Sequence, residues 1–363
     1  MGSSQLTAVG AYIFAGGFTL GMRRHFEILA HLEDSAYGVA TARQNLHDLP
    51  IHVGADEWPL AELRRRRVDV VYGNPPCAAW SALNAKPTKR EESWRVDGRV
   101  DCTRKHFNLL LELKPRVWVW ESVQRAFTVG RPFVDELEVR AAMQGYSVTH
   151  LLFNGNQLGL PHRRLRYFFI AHREELNFDD YKPVAPPLPR ALIIDRPLKP
   201  LADDSPVIEI PKRWRPAWKK AKGNENVANV WERMNPGFKL TTMASGRQQV
   251  VGRPGFIYYK LDLDQTPLTV VGLNLMHAIE PRYLSMPEMR RLCGYPDNFR
   301  LEESRGRVGS HRWDLFTRAV MPPIGDWLGK QLKRALSEPK KLRRPEVRIV
   351  RLTDKAEVEY VHP

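Results

Sequence analysis

Residues 73–81 read GNPPCAAWS, a cysteine behind two prolines at the end of the apolar run VDVVYG. The prolines fix φ and remove two amide donors, so the chain leaves a strand stiffly and Cys77 is held in place. A held thiol suits nucleophilic attack, which the thiolate carries out. The run WVWESV ends on Glu121, and in a doubly wound sheet that strand end lies beside the one carrying Cys77. Together they place an acid and a nucleophile in one crevice. AYIFAGGFTLGM sets Gly16 and Gly17 after the first apolar run, where a missing side chain lets backbone approach a ligand or a neighbouring helix. Glu33 closes the next run, about where a nucleoside-binding fold puts a carboxylate on ribose hydroxyls.

The elements that must position these groups follow from the pattern around them. From residue 7 to about 170, the runs AVGAYIF, FEILAHLE, VDVVYG, RVWVWES, YSVTHLLFN and LRYFFIAH alternate with helically spaced stretches such as HFNLLLELK and PFVDELEVRAAMQ. That alternation predicts an α/β fold, a parallel sheet covered by helices on both faces. Near residue 183 proline crowding begins, in KPVAPPLPRALIIDRPLKPLADDSPVIEIPKRWRP, and continuous helix or central strand becomes unfavourable. The expected organisation is a catalytic and cofactor-binding domain over 1–184, a small irregular recognition domain over 185–268, a return to the catalytic domain over 269–336, and a basic tail over 337–363. WRPAWKKAK in the irregular region either reads nucleic acid or fills a small core, and the tail reads as an edge strand or a loosely held arm.

Composition narrows the class. Fifty-six Lys and Arg against 41 Asp and Glu leave a formal charge of +15, which points to a polyanionic partner. Three cysteines, Cys77, Cys102 and Cys293, are too few and scattered for a disulfide framework or a zinc site, and a reducing cytoplasm is expected. No apolar run approaches the roughly eighteen residues of a membrane span.

In this order and spacing the motifs resemble the DNA cytosine-C5 methyltransferase family. GNPPCAAWS is similar to its proline-cysteine loop, WESV to its Glu-Asn-Val motif, GLPHRRLRYF to its Pro-Gln-x-Arg-x-Arg motif, YLSMPEMRRLCGYPDNF to the segment after its recognition domain, and TRAVMPP to its final Gly-Asn-Ser/Ala-Val motif. The resemblance implies a class I methyltransferase fold, a Rossmann-like doubly wound sheet. It implies transfer from S-adenosylmethionine to C5 of a cytosine flipped out of double-stranded DNA, with Cys77 adding to C6 and Glu121 acting at N3. Arg164 and Arg166 match the two motif arginines, whose guanidinium forks suit the cytosine carbonyl and adjacent phosphates. Tyr12, Gly16, Gly17, Glu33, Asp56, Pro75, Arg318 and Ala319 fall where the family contacts its cofactor. The same resemblance implies no metal; no membrane is expected from the hydropathy, a monomer is the default, and the expected location is the cytoplasm of a bacterial or phage-infected cell.

Three residues depart from the pattern. Phe14 stands where the family has its first glycine, Ser122 replaces the motif asparagine, and Arg318 stands at the asparagine close to the donor end of the cofactor. A buried guanidinium beside a sulfonium costs several kcal/mol unless an anion intervenes. Arg318 therefore either turns to a protein carboxylate or DNA phosphate, or meets a carboxylate on the donor itself. In the second case the donor is carboxy-S-adenosylmethionine and the product 5-carboxymethylcytosine. RNA as substrate, and a DNA-binding protein without activity, are the remaining readings.

Overall fold

Near-continuous apolar runs suit strands buried on both faces, and five of them form parallel strands: β1 (Thr7–Ala11), β2 (Glu27–Glu33), β3 (Ile51–Val53), β4 (Val70–Gly73) and β5 (Val117–Val123). β6 (Ser147–Asn154) and β7 (Leu165–His172) follow, β7 running antiparallel to both β5 and β6, so the sheet is mixed and not the parallel one expected; only the short link 155–164 separates β6 from β7, too little for a crossover helix. β8 (Tyr259–Lys260) and β9 (Leu275–Met276) pair in a separate small ladder. β10 (Val347–Leu352) and β11 (Val358–Val361) complete the main sheet, whose order is β11-β10-β6-β7-β5-β4-β1-β2-β3. The computed structural model describes residues 5–81, 93–204, 206–209, 259–270, 275–302, 315–340, 342, 344–354 and 357–361.

Helices cover both faces, as expected for this class. α1 (Gly17–Met22), α2 (Ala36–Asn45), α3 (Leu60–Arg66), α4 (Val100–Leu113), α5 (Gln124–Thr128) and α6 (Arg131–Met143) alternate with the first strands. α7 (Met286–Leu292) and α8 (Pro322–Ser337) come from the returning part of the chain. One core gathers Phe18, Met22, Tyr72, Phe168 and Leu328; the other gathers Trp80, Trp118, Trp120, Phe133 and Tyr167. α1 and α8 touch backbone to backbone: a Cβ on Gly21 would lie 2.3 Å from Asp326 N, so only glycine permits the approach. This contact carries the segment before α8 to the end of β1, where the site lies.

The proline-rich connector is tied to the catalytic body. Arg291 on α7 donates to the carbonyls of Leu192, Arg196 and Pro197, and Ile193 is buried in the first core. α7 itself begins with a reciprocal cap, in which the Ser285 backbone N–H donates to Glu288. WRPAWKKAK and most of the expected recognition domain lie outside the described residues. Of the two readings of the tail, the strand holds: β10 pairs parallel with β6, and β11 forms the outer edge.

Candidate active site

The reading order of the sheet reverses between β1 and β4, which opens a crevice at the carboxyl ends of the strands. Gly73 ends β4 there, and a Cβ on it would lie 2.5 Å from Ala11 O, so β1 and β4 close together only through glycine. Pro75 is buried and Pro76 exposed. Cys77 then starts a single 3-10 turn, Cys77–Ala79, closed by Trp80 N donating to Cys77 O. Trp80 anchors the far side of the loop: it is buried against Trp120 and Phe133, with ring centroids 5.4 and 5.7 Å away. Arg125 at the start of α5 also donates to the Trp80 carbonyl. The thiol, half-buried between these anchors, has its pKa raised, first by burial and next by the charge of Glu121, against the opposing charges of Arg166 and Arg164.

Glu121 reaches the same crevice from β5. The parallel register Gly73↔Trp120 places residues 74 and 121 side by side, and Asn74 Nδ2 donates to Glu121 Oε2 at 2.5 Å. On the other flank the register Val123↔Arg166 puts Arg166 diagonal to Glu121 on one face. Its Nε lies 3.0 Å from Glu121 Oε1. Both carboxylate oxygens therefore have a side-chain donor. Burial raises the Glu121 pKa, while Arg166, Arg164 and Asn74 oppose the rise.

Arg164 takes a different direction from its partner in the motif. It is 2% exposed and turns inward, donating to Thr317 O at 2.6 Å and Ala319 O at 3.5 Å. Its own backbone N–H donates to Asn154 Oδ1. Burial, then the charge of Arg166, lowers its pKa to about 9. His162, in the same motif, is buried between Arg163 O and Met321 Sδ, and burial lowers its pKa to about 3. It is a neutral packing group. Ala319 is buried, whereas Arg318 is exposed, in contrast to the buried guanidinium the sequence suggests.

The cofactor-side residues line the ends of β1, β2 and β3. Tyr12 and Phe14 take left-handed backbone conformations, with φ of 54° and 52°, which for non-glycine residues is sparsely populated and costs about 1–3 kcal/mol each. Glu33 holds that loop: its Oε2 accepts from Phe14 N at 2.6 Å, and its Oε1 accepts from Asp34 N at 3.0 Å and Ser35 N at 2.8 Å. Phe14, in the motif glycine's place, thus supplies a backbone donor to the carboxylate. Burial raises the Glu33 pKa to about 7 despite these three amides. Tyr12 packs edge-on against Trp58, centroids 5.4 Å apart; its buried hydroxyl makes no hydrogen bond of normal geometry, and burial together with the nearby Asp34 carboxylate raises its pKa. Gly16 (φ 89°) begins α1, and Gly17 is required by protein packing, since a Cβ there would lie 2.4 Å from Val320 O. Asp56 is exposed in a 3-10 turn, Ala55–Glu57, after β3. A tyrosyl hydroxyl without a hydrogen bond of normal geometry and a carboxylate with a lone pair to spare fit a ribose-bearing ligand.

A model of the C-5 cytosine-specific DNA methylase family matches residues 12–334. The chain belongs to that family. It is a DNA cytosine-5 methyltransferase, a transferase whose donor is S-adenosylmethionine. Among curated relatives, the type II methyltransferase M.XorII of Xanthomonas oryzae is 25% identical over 90% of this chain and 85% of its own. M.FnuDI of Fusobacterium nucleatum is 25% identical over 94% and 97%, and M1.HphI of Haemophilus parahaemolyticus is 28% identical over 48% of each chain. In fold, the enzyme is similar to a prophage-encoded DNA modification methyltransferase of E. coli, with TM-score 0.65 and 18% identity over 92% of this chain and 99% of the other. β10 and β11 lie beyond the family match.

Sequence reasoning missed Asn74 and the inward course of Arg164. A lone Asn after a strand-ending Gly reads as turn chemistry, and two arginines at alternate positions read as one face. The usable signal was the proline after Asn74, which narrows where its side chain starts.

Proposed function

We propose that the methyltransferase works through a covalent adduct between Cys77 and C6 of a cytosine swung out of double-stranded DNA. The observation that supports this most is the packing of one thiol, one buried carboxyl and one guanidinium, Cys77, Glu121 and Arg166, at adjoining strand ends. The Cys77 thiolate adds to C6. Glu121 gives a proton or hydrogen bond to N3, so the added electron pair is delivered to C5. S-adenosylmethionine supplies an electrophilic methyl on its sulfonium, and C5 takes it. Loss of the C5 proton and departure of Cys77 restore the aromatic ring. Burial and Glu121 raise the pKa of the thiol, and burial raises that of Glu121; the attacking microstate has the charge on sulfur and a proton on Glu121.

Arg166 orients Glu121 and is placed to meet the base carbonyl, Arg164 holds the 317–319 backbone, and Tyr12, Glu33 and Asp56 are the residues that would hold the nucleoside half of the donor. The +15 charge suits a phosphate backbone. A second reading concerns the transferred group. Arg318 is exposed between two residues whose carbonyls Arg164 holds, so it bears none of the desolvation that would call for a carboxylate on the donor, and methyl transfer is the reading supported best.

Nucleoside mass spectrometry after incubation of DNA with each donor tests both. A methyl gain that disappears in Cys77→Ala, with DNA binding retained, is the expected result. DNA carrying fluorine at C5 should trap wild-type protein covalently, because that substituent cannot leave as a proton does. Turnover by Cys77→Ala would sink the nucleophile assignment. A carboxymethyl gain would establish the second reading, and product on RNA alone would overturn DNA as the substrate.

A further inference from the structure

Ser122 stands where related enzymes carry the asparagine of the Glu-Asn-Val motif, and its hydroxyl is buried with no hydrogen-bond partner among the described residues. An amide of the kind this motif lacks is present one strand away. Asn74 follows β4, is 7% exposed, donates Nδ2 to Glu121 Oε2 at 2.5 Å, and donates its backbone N–H to Ala11 O at 3.3 Å. We propose that Asn74 is a positioning residue for the acid, bracing Glu121 from β4. This rests on the proposed role of Glu121 at N3.

Three physical points carry the assignment. Pro75 excludes the helical region for the residue before it, so the Asn74 backbone is confined to extended conformations and its side chain has one place to start from. Arg166 alone would tether Glu121 through one oxygen and leave the carboxyl free to rotate; a donor on the second oxygen fixes its plane. An amide does so without a second cation in contact. A lysine at this position would favour the ionised carboxylate and work against a group that must carry a proton. Ser122, the next residue of β5, points to the opposite face of the sheet and does not supply the same bond.

The test reads turnover and the ionisation of Glu121 separately. The carboxyl stretch of Glu121, identified as the infrared band missing from Glu121→Gln, is titrated in full-length wild-type and variant protein. Asn74→Ala should lower kcat roughly tenfold to a hundredfold, a share of the rate a positioned general acid supplies. KM for DNA and for S-adenosylmethionine should change less than about twofold. The infrared midpoint should rise by about one pH unit, the scale of a lost hydrogen bond to a charged acceptor.

Wild-type kcat and midpoint in Asn74→Ala would overturn the proposal, and so would a raised KM with the midpoint unmoved. If Asn74→Ala does not fold, the isosteric Asn74→Asp replaces it: an acceptor beside Glu121 should move the midpoint further up, and an unmoved midpoint would again overturn the role. Turnover at the wild-type rate by Glu121→Gln would remove the acid assignment itself. An inactive Glu121→Gln beside a fully active Asn74→Ala would remove only the assignment of Asn74.

Discussion

Two buried carboxyls stand at neighbouring parts of the same sheet edge and are held by opposite means. Glu33, at the end of β2, accepts from three backbone amides. Glu121, at the β5 end, accepts from the side chains of Asn74 and Arg166. Backbone donors cannot swing away without moving the chain, so Glu33 is a fixture that also pins the left-handed residues Tyr12 and Phe14. Side-chain donors can yield an oxygen to an incoming base by a rotamer change. The difference teaches where rigidity is wanted, under a ligand that only has to be held, and where exchange is wanted, beside one that must be protonated.

The contrast breaks most visibly at Glu121. Glu121→Gln should lower kcat by about 10²–10⁴-fold, the usual share of a general acid, while the unfolding midpoint stays close to wild type; the opposite pattern would make Glu121 the structural member of the pair. Glu33 should show its role in stability against pH. Its folded pKa, about 7, is above the unfolded value. The stabilisation is therefore complete below about pH 4.5 and is lost as pH rises through 7, on the order of 3 kcal/mol in all. Denaturant unfolding between pH 5 and 8 should show this decline in wild type and a flatter profile in Glu33→Gln. Equal slopes would mean that the three amides keep the carboxylate ionised throughout. The smallest effect belongs to Tyr12→Phe: with no hydrogen bond of normal geometry to the hydroxyl and only the Asp34 carboxylate nearby, stability should change by less than about 0.5 kcal/mol, and a modest rise in KM for the donor would sharpen the assignment of that loop to ligand binding.

Much of this arrangement was legible in the chain. Cys77 stands out because two prolines and a strand end leave it little freedom, and Glu121 because an apolar run that ends in a carboxyl has to put it somewhere. The class of sheet followed from runs of Val, Trp and Phe, whose burial on both faces is a local property. What could not be read depends on neighbours from distant sequence. Asn74 meets Glu121 only through the β4–β5 register, and Arg164 turns inward only because the carbonyls of Thr317 and Ala319 wait there. Proline crowding after residue 183 suggested departure from the catalytic body, yet Arg291 fastens that stretch to α7. Three carbonyl acceptors in a row leave no trace in residue types. The tail kept two readings because alternating VRIVRL suits a strand only when a partner edge is free, and β6 offers one.

The junction of α1 with α8 also bears on how the enzyme comes into being. His25 Nε2 meets Asp326 Oδ1 at 2.8 Å although 301 positions separate them, and Gly21 lies against the same turn of α8. A chain still on the ribosome has made Cys77, Glu121 and every strand through β7 long before α8 emerges. At synthesis rates of about 5–20 residues per second, that interval is on the order of ten seconds or more. During it Arg164 has no carbonyls to hold and the glycine-rich turn has nothing packed beneath it. Long-range closure makes folding slow, and here it also makes competence a late event of synthesis: a nascent chain carries the reactive thiol without the finished crevice around it.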